Sequence, residues 1–263
     1  MRIKNLLSGC ILLMLNTTNI LASELTAEQI VEKATLSAYY NGNDGRSVAR
    51  MKIVDANQRV QLRQFTILRK DIADGAEQKF LVVFSKPKSV DKTVFMVNKK
   101  IQTADERWLY LPALDLVKRI SAGDKRTSFV GSHYYYEDVS GRIPSEDTHK
   151  IIENGEDFYV LSHYPKDKQS VEYDWYKTQI DKKTFLPMLI EYYDKDGKAM
   201  RRIEALNVEE ISGYPTVTQA KVTNLQDNSY TLMEFRNVVF DIDIPDEVFT
   251  ERSLRNPPGK WLD

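Results

Sequence analysis

The sequence predicts a mainly β protein, an antiparallel meander long enough to curl round on itself. Three observations lead there. Apolar and polar residues alternate with a period of two through most of the chain. Short polar turns such as Asp55-Ala56-Asn57, Asn154-Gly155 and Asp194-Lys195-Asp196-Gly197 separate the alternating stretches. Helical spacing of apolar residues is confined to stretches near the two ends. About a dozen twisted strands with one dry face and few helices to cover it leave either a filled barrel core or a cavity.

The elements follow in chain order. Residues 1–23 have the three parts of a secretory signal: Arg2 and Lys4, an apolar run from Leu6 to Leu15, and a small-residue exit at Ala22 and Ser23. The apolar run falls well short of the roughly 20 residues that a membrane-spanning helix needs. Leu7-Ser8-Gly9-Cys10 spells a lipid-attachment box, but cleavage there would strand Ile11 to Leu15 in the exported chain. A helix is predicted over 25–40, with Thr26 as N-cap, Gln29 closing a capping box, Leu25 and Ile30 as a hydrophobic staple, and an Asn41–Gly45 turn to end it. Its apolar stripe of Ile30, Val31, Ala34 and Ala38 must lie on a face of the sheet. Strands are predicted at 48–54, 60–69, 79–84, 93–98, 107–111, 117–121, 150–153, 158–162, 171–180, 187–193, 199–210, 215–224 and 229–239. A short helix beginning at Pro245 would let Phe249 and Leu254 seal an edge or end of the sheet. No linker interrupts residues 24–263, which read as a single domain.

Composition narrows the function. Loss of a leader carrying Arg2 and Lys4 takes the basic count from 37 to 35 against 38 acidic residues, a net charge of −3 with the signs interspersed. Nucleic acid is not an expected partner. Cys10 is the one cysteine, and it lies in the leader, so disulfides and thiolate chemistry are not expected in the exported chain. His133, His149 and His163 have no metal-ligand spacing, and neither a metal nor a cofactor is expected. Ser132 beside His133 is not a nucleophile elbow and reads as a turn. The pairs Asp105-Glu106, Glu137-Asp138 and Glu209-Glu210 read as solvated carboxylates, and arginines such as Arg69, Arg126 and Arg201 as surface or sheet-edge residues. No catalytic residue is predicted.

What remains is apolar contact, concentrated between Asp105 and Gly141. Trp108 and Tyr110 stand on a strand that Pro112 breaks, and a second strand returns through Val117 and Ile120. Phe129 and the run Tyr134, Tyr135, Tyr136 follow on an irregular segment, where large amphipathic rings suit a cover over something greasy. These six rings, Trp108, Tyr110, Phe129, Tyr134, Tyr135 and Tyr136, are the candidate cavity or lid residues.

The phrase Trp108 to Leu114 with Lys118-Arg119-Ile120, then Ser128 to Val139, on a chain whose end carries Asp243 to Thr250, resembles the LolA-like outer-membrane lipoprotein-sorting family, in its longer periplasmic branch. The resemblance runs from about Glu28 to Leu262. It implies an open half-barrel with helices over its concave face and a greasy cavity for acyl chains. The implied function is a periplasmic carrier or chaperone that shelters the chains of lipoproteins or other lipids between membranes. Its partners would be inner- and outer-membrane transport components. The alternative is an envelope adaptor that docks a membrane transporter without carrying lipid. No lid-locking arginine can be assigned to Arg59, Arg63 or any other position from the sequence.

Overall fold

The computed structural model describes residues 24–73 and 75–262; the predicted leader and Cys10 lie outside the described residues. Helix α1 (Ala27–Tyr39) starts where its cap was read: Gln29 N–H donates to Thr26 Oγ1, and Thr26 N–H donates to the Gln29 side chain. Its buried Ala27, Ile30 and Ala34 lie on Leu161 and Ile180 of the sheet.

Among the described residues, thirteen strands form one antiparallel, unclosed sheet, a curved half-barrel. They are β1 (Asp44–Val54), β2 (Val60–Asp71), β3 (Gln78–Lys86), β4 (Val94–Lys99), β5 (Glu106–Leu111), β6 (Leu116–Ile120), β7 (Asp147–Asn154), β8 (Phe158–Pro165), β9 (Trp175–Asp181), β10 (Pro187–Tyr193), β11 (Ala199–Ile211), β12 (Tyr214–Asn224) and β13 (Tyr230–Phe240). Their spatial order is β6-β5-β4-β3-β2-β1-β13-β12-β11-β10-β9-β8-β7. Two meanders are therefore joined where the first strand pairs with the last, from Gly45↔Phe240 to Val54↔Tyr230. One consequence decides the rest. Strands β6 and β7 are consecutive in sequence but lie at opposite edges, so the segment 121–146 between them has to cross the sheet.

Each of the thirteen predicted strands has its counterpart, with one differing in content. The strand predicted at 171–180 begins only at Trp175, because Asp167 caps a 3-10 turn (Lys168–Ser170) and residues 171–174 stay outside the ladder. Trp175 consequently does not share a face with Tyr173. Its ring stacks on Tyr193 at 4.1 Å, while Tyr173 packs on Tyr176 and Tyr192.

The C-terminal segment forms a 3-10 turn (Asp246–Phe249) preceded by Pro245, then a single helical turn (Arg252–Arg255). It covers a face rather than an edge. Ile244, Val248, Phe249 and Leu254 pack on Leu68, Leu81, Val83, Val94 and Met96, the outer side of β2–β4. Asp44 anchors its start by accepting the N–H groups of Ile242 and Ile244 at 2.7 and 2.6 Å. Strand β3 is thus dry on both faces, which explains its unbroken apolar run from Phe80 to Phe84. No helix among the described residues is long and apolar enough to cross a membrane.

Candidate functional site

The segment 121–146 is a strap laid across the hollow. Its first part is a tight turn in which Val130 and Gly131 take positive φ values of 48° and 80°. Phe129 N–H donates to the Tyr134 carbonyl, and the Ser132 hydroxyl donates to the Phe129 carbonyl at 2.7 Å. Ser132 is therefore a turn staple, as its sequence context suggested. The adjacent His133 ring meets Thr231 of β13 and Ser229 just before that strand, not Ser132. The turn drives Phe129, 2% exposed, into the inner face of β2–β4, with ring centroids 6.2 Å from Phe65, 5.8 Å from Phe84 and 5.4 Å from Phe95. Tyr136 closes this aromatic cluster, edge-on to Phe129 at 5.6 Å.

The other half of the inner face is built differently. Paired positions across six strands place His149, His163, Tyr176, Tyr192, Arg201 and Asn224 in one row. His149 Nε2–H donates to the Pro144 carbonyl, and its Nδ1 shares one proton with His163 Nδ1 at 2.7 Å. His163 Nε2 meets the Thr178 hydroxyl at 2.7 Å. Burial, with His149 next to it, lowers the His163 pKa to about 3.

Ion pairs hold the strap to this polar half. Arg126 pairs with Glu172, Arg142 with Asp147, and Arg201 with Asp138, while Glu137, buried within the strap, ties Arg126, Lys125 and Arg142 of the same segment together. Burial alone would raise the Glu137 carboxyl, yet the Arg126, Lys125 and Arg142 charges hold it at about 2. Glu137 and Asp138 are thus not the solvated pair expected, and Arg126 and Arg201 are not surface residues. Their charges are spent inside, where a carboxylate is tolerable only if it is compensated on several sides.

Between the two halves a cavity of about 330 Å³ remains. Its floor is apolar: Ile67, Phe80 and Val82 from β2 and β3, and Ile203, Val217, Ala220 and Met233 from β11–β13. Its cover is Ala38 and Tyr39 at the end of α1, with Tyr134, Asp138 and Val139 of the strap. Two buried side chains hold that cover. Arg69 donates to the carbonyls of Tyr39, Asn41 and Gly42, groups the helix end leaves unpaired, and to Asp71. Lys99 Nζ donates to the Ser140 carbonyl at 2.7 Å and lies over the Tyr39 and Tyr40 rings; burial, its main influence, lowers its pKa to about 8.

The six rings singled out from the sequence are divided by the fold. Phe129 lines and partly fills the hollow, Tyr134 lines the cavity, and Tyr136 packs beside Phe129. Tyr135 turns to the polar half, with the guanidinium of Arg201 over its ring at 4.2 Å. Trp108 and Tyr110 stand apart from these four. They alternate with Leu109, which faces inward, and so project to the outer face beneath the C-terminal segment. Sequence reasoning passed over Tyr192 and read the buried Arg69 and Arg201 as surface or sheet-edge residues. A signal existed for the arginines: Arg69 continues the inner series Phe65, Ile67, and Arg201 starts the series Ile203, Ala205, so each is a charge placed on a dry face.

Comparison with known proteins places this architecture. A crystal structure of a DUF1329 family protein from Desulfovibrio piger is 29% identical, covers 86% of this chain and 95% of its own, and superposes with a TM-score of 0.77. A domain described as outer membrane lipoprotein-sorting, from Vibrio parahaemolyticus, is 26% identical over 87% of this chain and 98% of that one, with a TM-score of 0.79. A LolA superfamily protein from Nitrosomonas europaea shares the fold at 19% identity, 87% and 99% coverage, and a TM-score of 0.67. No curated protein matches the sequence. The model of a family described as uncharacterized protein-like matches residues 76–256, well over half of the chain. The chain belongs to that family and has the LolA-like fold of these structures.

Proposed function

We propose that the protein is a periplasmic carrier that shelters acyl chains of lipoproteins or other lipids during transfer between the inner and outer membranes. The observation that carries this reading is the 330 Å³ apolar cavity held under two covers, the end of α1 and the strap. Each methylene hidden from water is worth about 0.8 kcal/mol, so an exposed chain of about 16 carbons costs on the order of 13 kcal/mol, which makes unassisted aqueous crossing negligible. Shelter and release need no bond chemistry, and the reading assigns no catalytic residue.

The volume sets how loading proceeds. Small-molecule pockets span roughly 300–1,000 Å³, so the cavity as it stands takes one chain or part of one, and a bulkier cargo requires the strap or the helix end to lift. The four rings gathered at the hollow, Phe129, Tyr134, Tyr135 and Tyr136, belong in this reading to the cover. Trp108 and Tyr110 seat the C-terminal segment instead. Contact with inner- and outer-membrane transport components completes the cycle. The test is extraction of lipid from the secreted protein, followed by mass spectrometry: an acyl lipid at a reproducible fraction of the protein supports the reading. A protein that is empty after secretion and refuses acyl chains offered in vitro contradicts it.

A further inference from the structure

The outer face of the sheet is covered only in part. The C-terminal segment dries β2–β4 as far as Thr66, whose hydroxyl donates to the Leu262 carbonyl at 3.2 Å. Beyond that point, towards the β1–β2 turn, the same face carries an open groove of about 730 Å³. Arg50 and Lys52 reach it because they alternate with Ala49, Met51 and Ile53 of the inner cluster. A bulge in β3 sets Lys86 opposite Gln64, which brings this lysine to the outer face, and Lys88 follows in the turn beyond it.

The cations of this face are unspent. Arg50, Lys52, Lys86 and Lys88 are all exposed, and none of their side chains has a hydrogen-bonding or carboxylate partner among the described residues. Glu234, the acidic residue on the groove's walls, is held by Arg236 at 2.9 Å. On a chain with more acidic than basic residues this is a local excess of positive charge. Apolar side chains are interleaved with it. One row of paired positions across β12, β13, β1 and β2 reads Lys221, Leu232, Lys52, Leu62. Leu62 is 63% exposed, and Val60, two residues before it on the same strand face, is 53% exposed.

Form decides what kind of partner. Each of these strands is paired on both sides, so an extended peptide cannot add to the ladder here. Neighbouring strands stand about 4.8 Å apart, so the cations from Lys221 on β12 to Lys86 on β3 are spread over roughly 20 Å of sheet rather than gathered round one anion. A broad array of cations with leucines between them matches a bilayer interface, where basic side chains meet anionic headgroups and apolar ones enter the acyl boundary. We propose that this outer face docks the protein on membranes containing anionic phospholipids, with Arg50, Lys52, Lys86 and Lys88 on headgroup phosphates and Leu62 in the interface. The face lies on the other side of the sheet from the cavity, so it holds the protein at the bilayer without touching cargo. The surface stands on its own residues; its use, bringing a carrier to its membranes, rests on the carrier reading.

Sedimentation of the whole secreted chain with vesicles of phosphatidylcholine, alone or mixed with phosphatidylglycerol, tests this at low and high salt. The expected result is binding to the mixed vesicles, reduced by salt, which screens exposed charges. Each cation removed should weaken binding roughly 5-fold, so the combined Arg50→Gln, Lys52→Gln and Lys86→Gln variant should lose roughly 100-fold. Leu62→Ser should lose roughly 3- to 10-fold. All four positions are exposed, and circular dichroism verifies the fold of each variant. No binding to mixed vesicles, equal binding to both kinds, or unchanged binding in the triple variant would each overturn the proposal. A protein that binds a polyglutamate peptide but no vesicle would overturn it too, and would assign the face to an acidic protein partner. If vesicle binding behaves as expected while the cavity refuses acyl chains, the docking surface stands and the carrier reading alone falls.

Discussion

The two halves of the hollow hold the same strap by opposite means. Over β2–β4 the strap is seated by grease: Phe129 and Tyr136 fill an aromatic nest of Phe65, Phe84 and Phe95. Over β7–β11 it is seated by charge, through Arg126 on Glu172, Arg142 on Asp147 and Arg201 on Asp138, with Glu137 binding three cations of the strap to one another. Apolar contact is indifferent to pH, whereas buried ion pairs and a histidine kept neutral by burial, such as His163, are not. A cover built this way has one permanent side and one side that the surroundings can loosen. The cavity lies at the boundary between them.

The contrast is broken most severely from the dry side. Phe129→Ala leaves a void that its rigid neighbours cannot close, and we expect a loss of about 4 kcal/mol in urea unfolding, equal at pH 7 and pH 5. Glu137→Gln, on the charged side, leaves three cations short of their anion and should cost about 3 kcal/mol at pH 7. Its signature is the pH dependence. The Glu137 carboxyl is lowered from 4.5 to about 2, so its contribution is complete above 4.5 and disappears as pH falls from 4.5 toward 2. Acid titration of stability should therefore flatten in that window in the variant; an unaltered profile would mean the pair network does not stabilise the folded strap.

The histidine pair sharpens the same distinction at milder pH. Folding lowers His163 from 6.5 to about 3, so the unfolded chain takes up a proton that the folded chain refuses. Stability contributed by this group is intact above 6.5 and declines as pH falls toward 3, by about 2 kcal/mol at pH 5. His163→Phe should remove that decline, and a wild-type protein equally stable at pH 7 and 5 would refute the assignment. The smallest effect belongs to the outer face. Tyr110→Phe gives up one exposed hydrogen bond to Asp115, so its stability change should stay below about 1 kcal/mol and its lipid content should match wild type.

Local features were legible in the chain and remote ones were not. The thirteen strands and the capped start of α1 follow from period-two patterning, turn residues and the Thr26–Gln29 box, all of which act within a few positions. The route of the strap depends on β1 pairing with β13, a contact between residues nearly two hundred positions apart that no local pattern encodes. The outward placement of Trp108 and Tyr110 was hidden for a related reason. Where the C-terminal segment dries the outer face as well, alternation no longer tells inside from outside. Glu137 looks like any surface carboxylate, although its partners Arg126, Lys125 and Arg142 are near in sequence, because only the strap's crossing of the sheet buries it.

Native mass spectrometry of the wild-type protein and of Ala220→Trp, each offered a diacylglycerol with palmitoyl chains, bears most directly on the carrier reading. Ala220 lies on the cavity floor, and an indole there occupies the space assigned to the chain. The account predicts a one-to-one lipid adduct for wild type and bare protein for the folded variant. Equal adducts on both, or none on either, would contradict it.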